Sequence, residues 1–317
     1  MTVNTLEPRG TTIHLRDLLR WRLAASFIPL ENRGNSALLV GNRRSALRGR
    51  GIDFDEVRLY QAGDDVRTID WRVTARTGKM HTKIFHEEKE RPVLLVLDLR
   101  SDMYFGSRRC FKSVLAAHAA ALLAWAAVAS GDRIGALLIS NNGIIDIKPQ
   151  RRRHTVLQLF RHIIALDKQQ TDHASTATTS TPWQQAMQQL RALVRPGSCV
   201  IMLSDFHDWN TECQQALHSV VRHCQCFAIH IQDALENTLP AIGLVNFRAG
   251  RQKASFNTLD KTLLTQYQHL RQAHQNTLTQ AMLTLSIPTL TLHTHENIFS
   301  ALRQFFSPHK PASATHG

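Results

Sequence analysis

Arg91-Pro92-Val93-Leu94-Leu95-Val96-Leu97-Asp98-Leu99-Arg100-Ser101-Asp102-Met103 decides the fold. Its centre, residues 93–97, is an unbroken apolar run with a proline before it and a carboxylate after it. Such a run reads as a strand buried on both faces, because a half-exposed strand would alternate apolar with polar. From 107 to 130 the chain is alanine-rich and helix-forming, so the unit is strand, turn, helix. A polar turn in such a unit lies at the carboxyl edge of a parallel sheet, where open α/β proteins place their sites.

Downstream the same grammar repeats. Residues 132–140 and 143–148 are β-rich runs joined by Asn141-Asn142-Gly143, a hairpin signal that makes the second run an antiparallel edge strand. Arg151-Arg152-Arg153 leads into a helix over 154–166. Residues 167–181, rich in Thr, Ser, Gln and Ala, read as a flexible loop, and Pro182 suits the first turn of a helix reaching 194. Buried runs at 199–203 and 227–231 flank a helix at 212–223, and 243–258 alternates around Gly250 as a small hairpin insert. A helix over 259–285, a strand over 289–293 and a helix over 297–306 complete the domain, and 307–317 reads as a disordered tail.

The predicted fold is therefore α/β: a doubly wound, mostly parallel sheet with one antiparallel edge strand, spanning residues 91–306. The expected strand order is edge, second, first, fourth, fifth, sixth. Winding then reverses between the strand ending at Asp98 and the strand before Asp205, which brings both aspartates to one rim.

Residues 1–90 read as a smaller N-terminal region with helix and β elements. Over 13–28, Leu15, Leu18, Leu19, Leu23 and Phe27 form an apolar stripe, with Arg16, Arg20 and Arg22 off it, and Pro29 ends the helix. Residues 33–51 carry Arg43, Arg44, Arg48 and Arg50 among glycines, an exposed cationic loop open to a phosphate, a nucleic acid or a neighbouring acidic stretch. That stretch, 51–78, alternates Asp and Arg, which favours a mesh of bidentate ion pairs. Gly63-Asp64-Asp65 is a turn in which either aspartate can cap the next segment. Residues 80–85 alternate like a strand.

The 317 residues carry a net charge of +13 and a pI near 10.1, which suits either a generally basic surface with no anionic ligand or an acidic partner: nucleic acid, an anionic membrane face or an acidic protein. Five cysteines without Cys-x-x-Cys spacing read as buried, reduced thiols of a cytosolic protein. The first ten residues lack the apolar core of a signal peptide. No apolar run approaches the roughly 20 residues of a membrane span, so the expected location is cytoplasmic.

The run Arg50-Gly-Ile-Asp-Phe-Asp-Glu-Val-Arg, with Tyr60, Gly63-Asp64-Asp65-Val-Arg67, Ile69-Asp70-Trp71-Arg72 and Ala75-Arg76-Thr-Gly, resembles the signature of domain-of-unknown-function family fifty-eight. Phe105-Gly106-Ser107 and Leu203-Ser204-Asp205-Phe206 are also similar to that family. The resemblance covers roughly residues 30–305. It implies a von Willebrand factor A-like fold and, since such members are usually encoded beside MoxR-type AAA+ ATPases, a partner role.

In von Willebrand A domains an Asp-x-Ser-x-Ser turn, a distant Thr and a distant Asp hold a divalent ion. Here Asp98 matches the first position and Asp205 the last, but Arg100 and Asp102 stand at the serine positions, and the threonine falls among residues 176–181 without a choice. If magnesium or manganese binds, the ligands are Asp98, Asp102 and Asp205. A guanidinium at position 100 repels a dication and can itself neutralise the acids, so the expectation is a degenerate site with no cofactor.

The leading function is a non-catalytic module that docks a MoxR-type AAA+ ATPase, or an acidic client, through a rim of Asp98, Arg100, Ser101, Asp102, Ser204 and Asp205. Arg43, Arg44, Arg48 and Arg50 supply a basic contact. The alternatives are a metal-dependent nuclease using Asp98, Asp102, Asp205 and Asp208, and nucleic-acid binding through the arginine clusters. His207 reads as a surface histidine.

Overall fold

The computed structural model describes residues 6–30, 52–61, 66, 69–87, 90–172, 182–249 and 252–307. In chain order the elements are α1 (Leu15–Arg20), β1 (Ile52–Leu59), α2 (Trp71–Thr77), β2 (His81–Glu87), β3 (Pro92–Asp98), α3 (Lys112–Ala129), β4 (Arg133–Ser140), β5 (Gly143–Gln150), α4 (Arg153–Asp172), α5 (Pro182–Leu193), β6 (Cys199–Ser204), α6 (Thr211–Val221), β7 (Gln225–Gln232), α7 (Ala234–Asn237), β8 (Leu244–Ala249), β9 (Gln252–Asn257), α8 (Lys261–Thr284), β10 (Thr289–His293) and α9 (Ile298–Phe306). Contacts divide the chain into two units, the described residues of Met1–Val40 with Arg91–Gly317, and those of Gly41–Glu90. Residue 90 is thus one boundary, while α1 belongs with the sheet.

In the large unit, six strands run in the order β10-β7-β6-β3-β4-β5. All neighbours pair in parallel except β5, which returns antiparallel to β4 through the Asn141-Asn142 turn. This is the expected order, and winding reverses between β3 and β6. One face packs on α1, α3, α4 and α9, and the other on α5, α6 and the end of α8. Residues 93–97 are fully buried, as a strand covered on both faces requires.

Helix α3 is apolar on every side, and its residues from Lys112 to Ala127 are all buried. It is long and apolar enough to cross a membrane, yet it is the central helix of this domain. Its alanines let neighbouring layers approach closely. The polar groups on it need partners, and His118 Nδ1 accepts a hydrogen bond from Trp21 Nε1 at 3.0 Å.

The N-terminal segment departs from the sequence reading. A single helix over 13–28 is replaced by α1 and two 3₁₀ turns, Trp21–Leu23 and Ala25–Phe27. The tighter turns re-aim the side chains. Leu18, Trp21, Ala25 and Ile28 are buried, whereas Leu15, Leu19, Leu23 and Phe27 face outward. The segment is tied down by Ile13 N donating to Asp167 Oδ2 (2.9 Å) and by the Trp21–His118 bond.

In the small unit β1 and β2 pair antiparallel with a bulge between Phe54 and Glu56. Helix α2 is capped by Asp70, which accepts from Arg72 N and Val73 N, and it ends at Gly78 with φ +70. Asp64 and Asp65, the other cap candidates, lie outside the described residues, as do Arg43, Arg44, Arg48, Arg50, the 176–181 threonines and the tail from 308. Residues 244–257 form the expected hairpin, β8 on β9. All five cysteines are buried and unpaired.

His118 and His230 are each pushed down to about 4, chiefly by burial. Both are therefore neutral in the folded state, while their unfolded counterparts protonate near 6.5. Stability is complete above pH 6.5 and falls as pH drops toward 4, because the unfolded chain gains protons first. Each shift corresponds to about 3 kcal/mol at most. His118→Gln, which keeps an acceptor for Trp21, is expected to lose about 2 kcal/mol less than the wild type between those limits, measured by urea unfolding across pH.

Candidate functional site

Strand alternation sets the rim. Side chains on β3 and β6 point to opposite faces in turn, and register pairs Leu97 with Leu203. Asp98 is thereby set beside Ser204 on the face packed by α5 and α6, while Asp205 turns to the face packed by α3. The two aspartates end neighbouring strands at one edge of the sheet, but they belong to different faces.

Asp98 is wholly buried and accepts five hydrogen bonds. Its Oδ1 takes Arg100 N (3.1 Å) and Arg100 Nε (3.0 Å). Its Oδ2 takes Arg100 Nη2 (2.8 Å), Ser204 Oγ (2.6 Å) and Trp183 Nε1 (3.3 Å). Arg100, itself 5% exposed, also pairs through Nη1 with Asp208. Burial works against its charge, but Asp98 and then Asp208 outweigh it and hold the guanidinium above its ordinary range.

Asp205 has a different cation. Lys112, the first residue of α3 and 1% exposed, donates to Asp205 Oδ2 at 2.6 Å and to Glu236 Oε1 at 2.5 Å. Asp205 Oδ1 accepts His207 N (3.1 Å). Burial opposes the charged lysine, yet Asp205 and Glu236 raise it above its usual value, and Lys112 in turn lowers Asp205 against that carboxyl's own burial. Glu236 extends the row by accepting Arg271 Nη2 (3.2 Å) and Asp233 N (3.0 Å). Arg100 therefore does not serve both aspartates, as the sequence suggested it could; each acid has its own cation.

Between them the backbone is forced. Phe206 adopts φ +53, a left-handed conformation rare for an aromatic residue. Its N–H donates to Ser204 Oγ (2.9 Å), and its ring packs against Trp183 and Trp209.

Outside these pairs, Ser101, Asp102 and His207 are exposed. Ser101 N donates to Asn141 Oδ1 at 3.2 Å. Asp102 makes no hydrogen bond or salt bridge among the described residues. Partial desolvation, then the nearby Asp205 charge, raise its carboxyl above the usual range. Ligand atoms of Asp102, His207 and Asp208 lie within 4.8 Å of one another.

A divalent ion held by Asp98, Asp102 and Asp205, the set read from sequence, does not fit this arrangement. The oxygens of Asp98 are already saturated by donors, those of Asp205 are held by Lys112 and a backbone N–H, and Arg100 adds a positive charge. Lys112 and Glu236, which complete the network, were not among the expected rim residues, and Asp208 was expected there only as a ligand of the nuclease alternative. The signal for Lys112 was a lone lysine opening a helix otherwise too apolar to face water.

Truncating a buried cation exposes its strength. Arg100→Ala leaves Asp98 charged, buried and short of two side-chain donors and their positive charge, and is expected to destabilise the fold by about 3–5 kcal/mol in urea unfolding. A loss below about 1 kcal/mol would show that the pair is not held as described.

Comparison with known proteins identifies relatives. The profile of the family described as "Protein of unknown function DUF58" matches residues 56–277. Uncharacterized protein Rv1480 of Mycobacterium tuberculosis (strain ATCC 25618 / H37Rv) is 25% identical over 291 residues, covering 90% of this chain and 89% of its own length. Uncharacterized protein Mb1516 of Mycobacterium bovis (strain ATCC BAA-935 / AF2122/97) matches to the same extent. Among solved structures, the conserved hypothetical protein BatB from Bacteroides thetaiotaomicron aligns over 68% of this chain and 96% of its own at 11% identity, with a TM-score of 0.43. An aerotolerance-related membrane protein from Bacteroides fragilis NCTC 9343, carrying multiple mutations to serines, aligns over the same shares at 12% identity and a TM-score of 0.40. The matched span takes in most of the sheet and its rim as well as part of the small unit, and the chain belongs to the DUF58 family.

Proposed function

We propose that this chain is a non-catalytic docking module: a partner or adaptor of a MoxR-type AAA+ ATPase in the assembly or maturation of protein complexes. It acts from the cytoplasm and makes contact through the rim, at the exposed Ser101 and Asp102, which the buried Asp98, Arg100, Ser204 and Asp205 hold in place. The observation that carries this reading is the internal saturation of Asp98 by five donors. A carboxylate so held has no lone pair for a metal or a proton transfer, so it shapes the edge and performs no chemistry there. What the edge offers outward is Ser101, Asp102 and His207. Asp102, crowded by like charge and without a cation of its own, is complementary to a basic group on a partner.

In this reading Arg100 and Lys112 stand where a von Willebrand A site would place a dication. The module is then constitutively formed, with no dependence on magnesium. The two carboxylates and the imidazole that converge at Asp102, Asp208 and His207 favour the alternative, a metal-dependent nuclease, more than any other group at the rim.

Two experiments separate these readings. A MoxR-type ATPase encoded beside this family is expected to be captured by the wild-type chain in pull-downs with and without ATP, and capture should fall at least about tenfold in Asp102→Lys, as expected for one charge reversed within an interface. Undiminished capture by that variant would remove the rim from the contact. In calorimetric titration, magnesium and manganese are expected to show no micromolar binding. Tight binding that disappears in Asp98→Ala sinks the built-in-cation reading, and manganese-dependent cleavage of DNA or RNA that disappears in Asp102→Ala establishes the nuclease.

A further inference from the structure

Away from the acidic rim, Glu7, Arg9, Arg108, Arg109 and His295 line an open cleft of about 490 Å³. Three guanidinium groups here face one carboxylate, a surplus of two positive charges before His295 is counted. Glu7 occupies part of them, with its Oε2 3.3 Å from Arg109 Nη1 and 3.9 Å from Arg9 Nη2. Arg9 is nonetheless 80% exposed, and Arg108 is exposed and pairs with no acid among the described residues. Arg109 Nη1 is buried without a hydrogen-bond partner of good geometry.

The cleft is built on a fixed frame. Gly10 N donates to Arg109 O (2.9 Å) and Phe111 N to Gly10 O (3.2 Å), which straps the N-terminal segment to the loop before α3. Ser107 N and Thr294 Oγ1 both donate to Asp233 Oδ2, at 2.9 and 2.5 Å, and Cys110 Sγ reaches Thr294 O at 3.5 Å. Three separate stretches of chain are thereby locked around the arginines, so little ordering remains to be done on binding.

We infer that this cleft binds a short run of carboxylates, an acidic segment of the partner protein. The partner itself rests on the docking reading above; the cleft's chemistry does not. Guanidinium forks match carboxylates in bidentate fashion, and the cleft already draws one carboxylate from within the chain, with Glu7 Oε2 lying 3.3 Å from Arg109 Nη1 as an ion pair. The lining has no Trp, Tyr or Phe on which a base could stack, and the one aromatic group, His295, is stacked on His293 at 5.6 Å between ring centres. An acidic peptide therefore fits better than a single-stranded nucleic acid. The net charge of +13 draws such a segment in from a distance.

The test is fluorescence anisotropy of a labelled deca-glutamate peptide with the full chain, in low salt. Arg108→Glu and the milder Arg108→Gln both change an exposed side chain, and Arg109→Glu changes a partly buried one. Binding is expected to weaken with rising salt and to weaken about tenfold or more in Arg108→Glu, with Arg108→Gln between it and the wild type. Asp102→Ala should bind the peptide within about twofold of the wild type, since its site is separate. Equal affinity in wild type and Arg108→Glu overturns the inference. So does tighter binding of an oligothymidylate of equal charge, or saturation by inorganic phosphate with no peptide binding. Peptide binding lost while ATPase capture persists condemns this cleft alone; capture lost while peptide binding persists condemns the docking reading alone.

Discussion

A carboxylate removed from water must be paired or protonated, and Asp98 at zero exposure is the point from which the rim of this protein is determined. Its partners come from four places: the adjoining turn (Arg100), the neighbouring strand (Ser204), a helix on the far side of the connection (Trp183) and, through Arg100, the loop after β6 (Asp208). Replacing such a pair by apolar groups of equal volume is often neutral, so the network is poorly explained as a source of stability. Its effect is geometric. It fixes the loop after β3 to the loop after β6 across the place where the sheet changes winding.

The second charged row has the same logic on the opposite face. Lys112 opens a helix built mostly of alanine and leucine, and its ammonium is buried between Asp205 and Glu236. A lysine could not be carried there without two acids, and the acids would repel one another without the lysine. Glu236 belongs to α7, where Asp233 caps the turn in a reciprocal capping box and also holds Ser107 and Thr294. The acidic rim and the basic cleft at Arg108 are thus tied to one frame, although they carry opposite charge.

How much of this is legible in the chain depends on the range of the signal. The sheet order follows from local grammar: apolar runs, the Asn141-Asn142-Gly143 turn and the helices between. Strand β1 escapes that grammar, because Ile52–Leu59 is dominated by acids and arginine and a bulge at Phe54/Glu56 breaks its two-residue period. The stripe at Leu15, Leu19, Leu23 and Phe27 is genuine as a pattern but faces outward, since Trp21 reaching His118 decides which side is buried. At the rim, Asp98, Arg100 and Asp205 stand out by position. Glu236 does not, and Lys112 shows only as a lone lysine opening an apolar helix, because the bond between them joins residues 124 apart and no local pattern announces the pairing.

Parity explains why a single cation cannot replace the two that are present. In a parallel pair, residues in register share a face, and the register that matches Leu97 with Leu203 matches Asp98 with Ser204, not with Asp205. Sequence position alone places both aspartates at strand ends, which invites a bridge; the two-residue period puts the sheet between them. Phe206, held at φ +53 immediately afterwards, turns the chain so that Asp208 comes back to the face of Asp98 and meets Arg100. Each face therefore acquires an acid, a cation and a second acid in turn. The order is Asp98, Arg100, Asp208 on one side and Asp205, Lys112, Glu236 on the other. The first triad retains one negative charge, whereas Arg271 offsets the surplus of the second, so the edge stays acidic at Asp98, Arg100 and Asp208, and the exposed Asp102 adds to a field that the fold itself has already fixed.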